Sequence, residues 1–172
     1  MLNKKIEEAI NKQINAELWS AYLYLSMSAY FESENLPGFA NWMKVQYQEE
    51  VSHAMKFFDY INERGGRVNL MPIAEVKTDW KDAVSIFEET LAHEQKVTGM
   101  INSLVDLAIL EKDHASNNML QWYVDEQVEE EANADALLQQ LKMLNNNQQG
   151  LLMLDRELQN RTFVDETKEI NN

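Results

Sequence analysis

The chain has no cysteine in its 172 residues. Disulfides, iron–sulfur clusters and cysteine-based zinc sites are therefore excluded. Glycine and proline are scarce, five and two, too few for the many tight turns of an all-β fold. No apolar run approaches the length of a membrane span. The opening "MLNKKIEEAINKQ" turns polar at once, unlike a secretory signal. Positive charge is also in short supply: 15 Lys and Arg against 29 Asp and Glu leave a formal charge of −14. That disfavours nucleic acid and anionic membranes as partners and favours cations, metal ions included, although the same charge also serves solubility. A single cytoplasmic domain over residues 1–172 is the expectation.

What is present is helical periodicity. From 4 to about 33, Ile6, Ile10, Ile14, Ala21, Tyr24, Met27 and Phe31 recur in steps of three and four. "NLPGF" interrupts the stripe, since Pro37 disfavours helix at Leu36 yet suits the first turn of a new one. A second helix is predicted over 37–64, carrying Phe39, Met43, Tyr47, Ala54, Phe57 and Ile61, and Gly65-Gly66 ends it. Residues 65–78 show no helical period. A third helix is predicted over 79–110, a fourth over 115–144 and a short fifth over 150–158, followed by a polar tail over 160–172.

Two connections are short and imply antiparallel hairpins. The middle one differs, because its 14 residues can reach about 46–50 Å when extended. A helix of the second one's length spans about 40 Å, so the third helix can run parallel to the second. The fold class is therefore all-α: an antiparallel four-helix bundle with one long crossover between helices two and three.

Each apolar stripe carries something polar near its middle. Glu17 follows Ile14; Glu50 sits between Tyr47 and Ala54 with His53 beside it; Glu94 lies between Leu91 and Ile101; Gln127 and Glu130 lie between Tyr123 and Ala134. A lone buried charge is very costly, so core carboxylates are paired, protonated or metal-bound. Glu17 lies 18 residues before Asn35 and Glu94 lies 18 before Lys112. Glu50 and Glu130 follow those turns by similar counts, so at 1.5 Å per residue all four share one level within about 6 Å. Carboxylates stacked at one height in a low dielectric require cations between them. An oxygen-rich set with one imidazole suits iron or manganese better than softer metals. Glu50-x-x-His53 is half of the two-metal arrangement found in helical bundles.

The other Glu-x-x-His, Glu111 to His114, falls at the turn between helices three and four, about 25 Å from the level of Glu94. It reads as a solvated turn in which Asp113 caps a helix. His93, beside Glu94, points off the core stripe and is expected to face solvent or a subunit contact.

The stretches "NAELWSAYLY", "QEEVSHAMKFFDYI", "HEQKVT" and "LQWYVDEQVEEE" resemble the bacterial non-haem ferritins, and the resemblance covers nearly the whole chain. It implies an iron-storing ferroxidase that oxidises Fe(II) with O2 or H2O2 and keeps ferric mineral in a hollow homo-oligomeric shell of 24 subunits. Matching positions assign Glu17, Glu50 and His53 to a first iron, with Glu50 bridging to a second completed by Glu94 and Glu130, and Gln127 close by. Tyr24 matches a tyrosine that supports the centre. Glu49, Glu126 and Glu129, with Glu130 shared, match a third iron site; an acidic solvated face is the alternative for this cluster. Haem is not expected, because Val51 and Gln127-x-x-Glu130 stand where bacterioferritins carry a haem methionine and a second Glu-x-x-His. The competing functions are a passive shell subunit and an oxygen-activating di-iron enzyme with an organic substrate.

Overall fold

The structure, a computed structural model, describes residues 1–145, 147–165 and 167. Among these residues there are five helices and no strand: α1 (Lys4–Ser33), α2 (Pro37–Glu63), α3 (Ala83–Leu110), α4 (His114–Leu144) and α5 (Gln148–Leu158). Of the tail predicted over 160–172, residues 166 and 168–172 lie outside the described set. The chain forms two compact units. One comprises Met1–Leu2, Ile10–Asp79 and the described part of Asn147–Asn172; the other comprises Asn3–Ala9 and the described part of Trp80–Asn146.

In the first unit, α1 and α2 form the antiparallel hairpin that the short "NLPGF" turn implied. Asn35 takes φ 58°. The Asn35 and Leu36 N–H groups then donate back to the Glu32 and Phe31 carbonyls, at 3.2 and 3.0 Å, which satisfies two groups the helix end would leave open. Phe31 stacks on Phe39 at 5.2 Å, and Ser28 Oγ donates to the Ala40 carbonyl at 2.8 Å. At the other end the Leu2 N–H donates to the Arg64 carbonyl.

Residues 66–80 form neither helix nor strand, as the loss of periodicity implied, and the stretch 67–77 is tied along α1 in the direction of that helix. Asn11 clasps the Arg67 carbonyl and the Asn69 N–H, Asn15 reaches the carbonyls of Met71 and Pro72, and Trp19 reaches that of Glu75. Ser26 completes the run at the Lys77 carbonyl, 2.7 Å away. These side chains satisfy backbone groups that a strand or helix would otherwise pair internally.

The start of α2 has no side-chain cap of its own. Asp155 from α5 supplies one, its Oδ1 accepting from the N–H groups of Gly38 (2.8 Å) and Phe39 (3.1 Å). This contact requires glycine, because a Cβ at position 38 would lie 1.6 Å from the Asp155 carbonyl oxygen.

In the second unit, α3 and α4 form another antiparallel hairpin, with Lys112 at φ 55° in the turn. Helix α3 begins at Ala83, four residues later than the sequence indicated. The cause is a capping box: Asp82 is extended and accepts from the Ser85 N–H at 2.8 Å, while Ser85 Oγ accepts from the Asp82 N–H. Trp80 tucks in ahead of it, with Nε1 donating to Glu89 at 3.0 Å. The other ends shift less, α2 closing at Glu63, α4 opening at His114 and α5 opening at Gln148.

Candidate metal centre

In the first unit, Glu17 of α1 and Glu50 and His53 of α2 point inward and are almost fully buried. Each offers a ligand atom, and these atoms all lie within 4.8 Å of one another. Helical spacing explains the pair from α2, since residues three apart share a face; His53 Nδ1 stands 3.8 Å from Glu50 Oε2. Glu17 is oriented by its own helix, because Gln13 Nε2, buried one turn earlier, donates to Glu17 Oε1 at 2.9 Å. Tyr24 lies two turns further along α1, wholly buried. Two carboxylates and an imidazole converging in an apolar interior form a donor set for a hard or borderline cation.

In the second unit, Glu94 of α3 faces Gln127 of α4. The Gln127 carboxamide Nε2 donates to Glu94 Oε2 and to the Glu94 carbonyl, both at 3.2 Å. Thr98 Oγ1 stands between these helices, within hydrogen-bond distance of the Glu94 carbonyl at 3.0 Å and of the Glu131 carboxylate at 2.5 Å. Glu130 is buried on the same face of α4, and its carboxylate comes within 4.8 Å of that of half-buried Glu126. Glu94, Gln127 and Glu130 are thus all buried on the facing sides of these two helices.

The residues matched to a third site are less uniform. Glu129 is exposed. Glu49 is ion-paired with Arg161 at 2.7 Å, a partner that sequence reasoning missed because Arg161 lay in what read as a solvated tail. Gln13 and Thr98 were missed as well; Gln13 carried the signal of an amide four residues before a core carboxylate.

The Glu111 motif serves structure. Glu111 accepts from Lys5 Nζ at 2.6 Å and from Asn3 Nδ2 at 2.8 Å, Asp113 caps α4 through the Ser116 N–H, and His114 is exposed. Hydrogen bonds from Lys5 and Asn3, with the Lys5 charge behind them, hold the Glu111 carboxyl below its ordinary value. His93, expected to face solvent or a subunit contact, is half-buried beside Glu94. Desolvation first, and then the charge of Lys96, lower its pKa from 6.5 to about 4.

The sequence pattern of the ferritin-like domain family matches residues 7–144. A bacterial non-heme ferritin of Bacteroides fragilis is 44% identical over 161 residues, covering 94% of this chain and 100% of the relative. One from Staphylococcus aureus is 36% identical over 166 residues, covering 96% and 100%. Among solved structures, the open pore ferritin of the hyperthermophilic archaeon Archaeoglobus fulgidus superposes with a TM-score of 0.93 at 51% identity, covering 94% of this chain and all of that one. No helix among the described residues is long and apolar enough to cross a membrane. The chain belongs to the ferritin family, iron-storage proteins built on a four-helix bundle with a short fifth helix.

Proposed function

We propose that this protein is a cytoplasmic ferroxidase that oxidises Fe(II) and stores the ferric product inside a homo-oligomeric shell, of 24 subunits by family resemblance. The observation that carries the reading is the convergence of Glu17, Glu50 and His53 inside an apolar core. A bundle with no cation to bind gains nothing from such a cluster and bears its desolvation cost. Glu17 and Glu94 both stand 18 residues before their hairpin turns, and Glu50 and Glu130 follow those turns by counts that differ by less than one helical turn. In the proposed centre, Glu17, Glu50 and His53 hold one substrate iron. Glu50 bridges to a second, which Glu94 and Glu130 complete, with Gln127 and Tyr24 alongside. Glu49, Glu126 and Glu129, sharing Glu130, receive a third.

Two Fe(II) ions supply the two electrons that reduce O2 to peroxide, or one H2O2 to two waters. The protein's part is to hold both ions close together in a dry site, where carboxylates favour the higher charge of Fe(III). The test is aerobic Fe(II) addition to wild type, Glu50→Ala and Glu130→Ala. Wild type should form Fe(III) quickly and accumulate it far beyond the number of binding sites, and both variants should be slow. Equal rates in all three would remove the central site from the reaction. Saturation at about two irons per chain would rule out storage.

A further inference from the structure

Glu49 is matched by a cation of the chain itself. Arg161, three residues beyond the end of α5, places Nη2 2.7 Å from Glu49 Oε2. The guanidinium is seated on α2: Nη1 donates to the Trp42 carbonyl at 3.3 Å, and Cζ lies over the Trp42 ring, 4.6 Å from its centroid. Its backbone is pinned as well, since Asn41 Nδ2 donates to the carbonyls of Leu158 (3.1 Å) and Arg161 (2.9 Å). The Arg161 and Glu49 side chains keep only 23% and 19% of their surface exposed, so salt screens this pair less than a fully exposed one.

We propose that Arg161 is a built-in competitor for the third iron. It neutralises Glu49 while the third site is empty and must yield that carboxylate when a metal ion binds, so it sets how weakly that site holds its cation. The inference rests on the reading of Glu49 as a third-site ligand. A carboxylate oxygen engaged by a guanidinium has its lone pairs directed at N–H groups. A metal ion draws on the same carboxylate charge and lone pairs at about 2 Å, and the guanidinium repels it, so the two compete for Glu49. The Trp42 ring and carbonyl give the guanidinium a seat to keep after Glu49 turns away, which makes the exchange reversible.

The test uses the metal-free, assembled protein and Zn(II), a redox-inert probe, titrated calorimetrically. Arg161→Gln should leave the two tighter sites unchanged and tighten the third about three- to tenfold, the range expected for losing one partly screened charge pair. Glu49→Gln should abolish the third equivalent, alone or combined with Arg161→Gln. Arg161→Lys, which keeps the charge but loses the fork, should fall between wild type and Arg161→Gln. It also decides the question should the glutamine variant fail to fold, because a third-site affinity equal to wild type overturns the proposal. If Glu49→Gln removes the third equivalent but Arg161→Gln changes nothing, Arg161 only anchors the chain and the third-site reading survives. If Glu49→Gln leaves the number of sites unchanged, the third-site reading fails and takes the proposal with it.

Discussion

Gln13 Nε2 donates to Glu17 Oε1 at 2.9 Å, one turn along α1 and out of contact with solvent. This bond fixes which oxygen of Glu17 is free to turn toward a metal. Gln13→Ala leaves a buried carboxylate short of a donor, at a cost of about 1–3 kcal/mol. The metal-free variant should melt lower and bind its first iron more weakly. Gln13→Glu should be worse on melting, since it sets two carboxylates side by side. An unchanged melting temperature for both would mean the bond contributes nothing.

On the proposed reading, the buried acids oppose folding when no metal is bound. Glu50→Gln and Glu94→Gln keep the shape and remove the charge, so each should stabilise the chelator-treated protein by about 1–3 kcal/mol. For a chain of this size that is roughly 2–12 °C in melting temperature. Saturating Zn(II) should reverse the order, because only the wild type then gains full binding energy. Variants that melt below wild type in chelator would show that these acids stabilise the fold by themselves.

Asp155 and Gly38 couple α5 to the start of α2 through a cap and a close backbone approach. Gly38→Ala must push α5 away and lose the burial of Leu154 and Leu158, costing more than about 3 kcal/mol. Asp155→Ala loses the cap alone, about 1–2 kcal/mol. The double variant should be no worse than Gly38→Ala, because both act on one contact. Strict additivity in thermal melts would separate the two effects and refute the coupling.

Those contacts also mark what could be read in the sequence. The helices and the extended crossover were legible because periodicity is local. The inward direction of Glu17, Glu50, His53, Glu94, Gln127 and Glu130 followed from the same stripes. Helix α3 starts four residues after its periodicity begins because Asp82 and Ser85 form a specific cap, which periodicity does not register. The Asp155 cap and the Arg161–Glu49 pair join residues more than a hundred positions apart, and no local pattern encodes such a contact.

The Glu111 contacts predict a pH dependence. Lys5 and Asn3 favour the ionised carboxylate, so its folded-state pKa lies below the ordinary 4.5. The stabilisation is complete above that value and fades as pH falls through the lower folded one. Glu111→Gln should therefore melt below wild type at neutral pH, with the gap closing as acid is added below pH 4.5. A gap that is constant with pH would assign the loss to packing instead of charge.

On the proposed reading, the contact between Gln127 and Glu94 favours storage over a retained cofactor. Gln127 spends its N–H on Glu94 Oε2 at 3.2 Å, leaving a neutral amide where a paired Glu-x-x-His would place a charged ligand. In the centre proposed above, His53 is assigned to the first iron and the second is left with carboxylates and an amide, so the two irons would be held unequally. The second should leave more readily, which is what passing product on to a store requires. Gln127→Glu combined with Glu130→His would restore the symmetrical arrangement and tighten the second metal by about 10–100-fold, the range seen when groups orienting a metal ligand are changed. A first turnover near the wild-type rate followed by slow later ones is the expected signature, since the chemistry keeps its ligands while release is impeded. Multiple-turnover oxidation at the wild-type rate would show that release does not depend on this asymmetry.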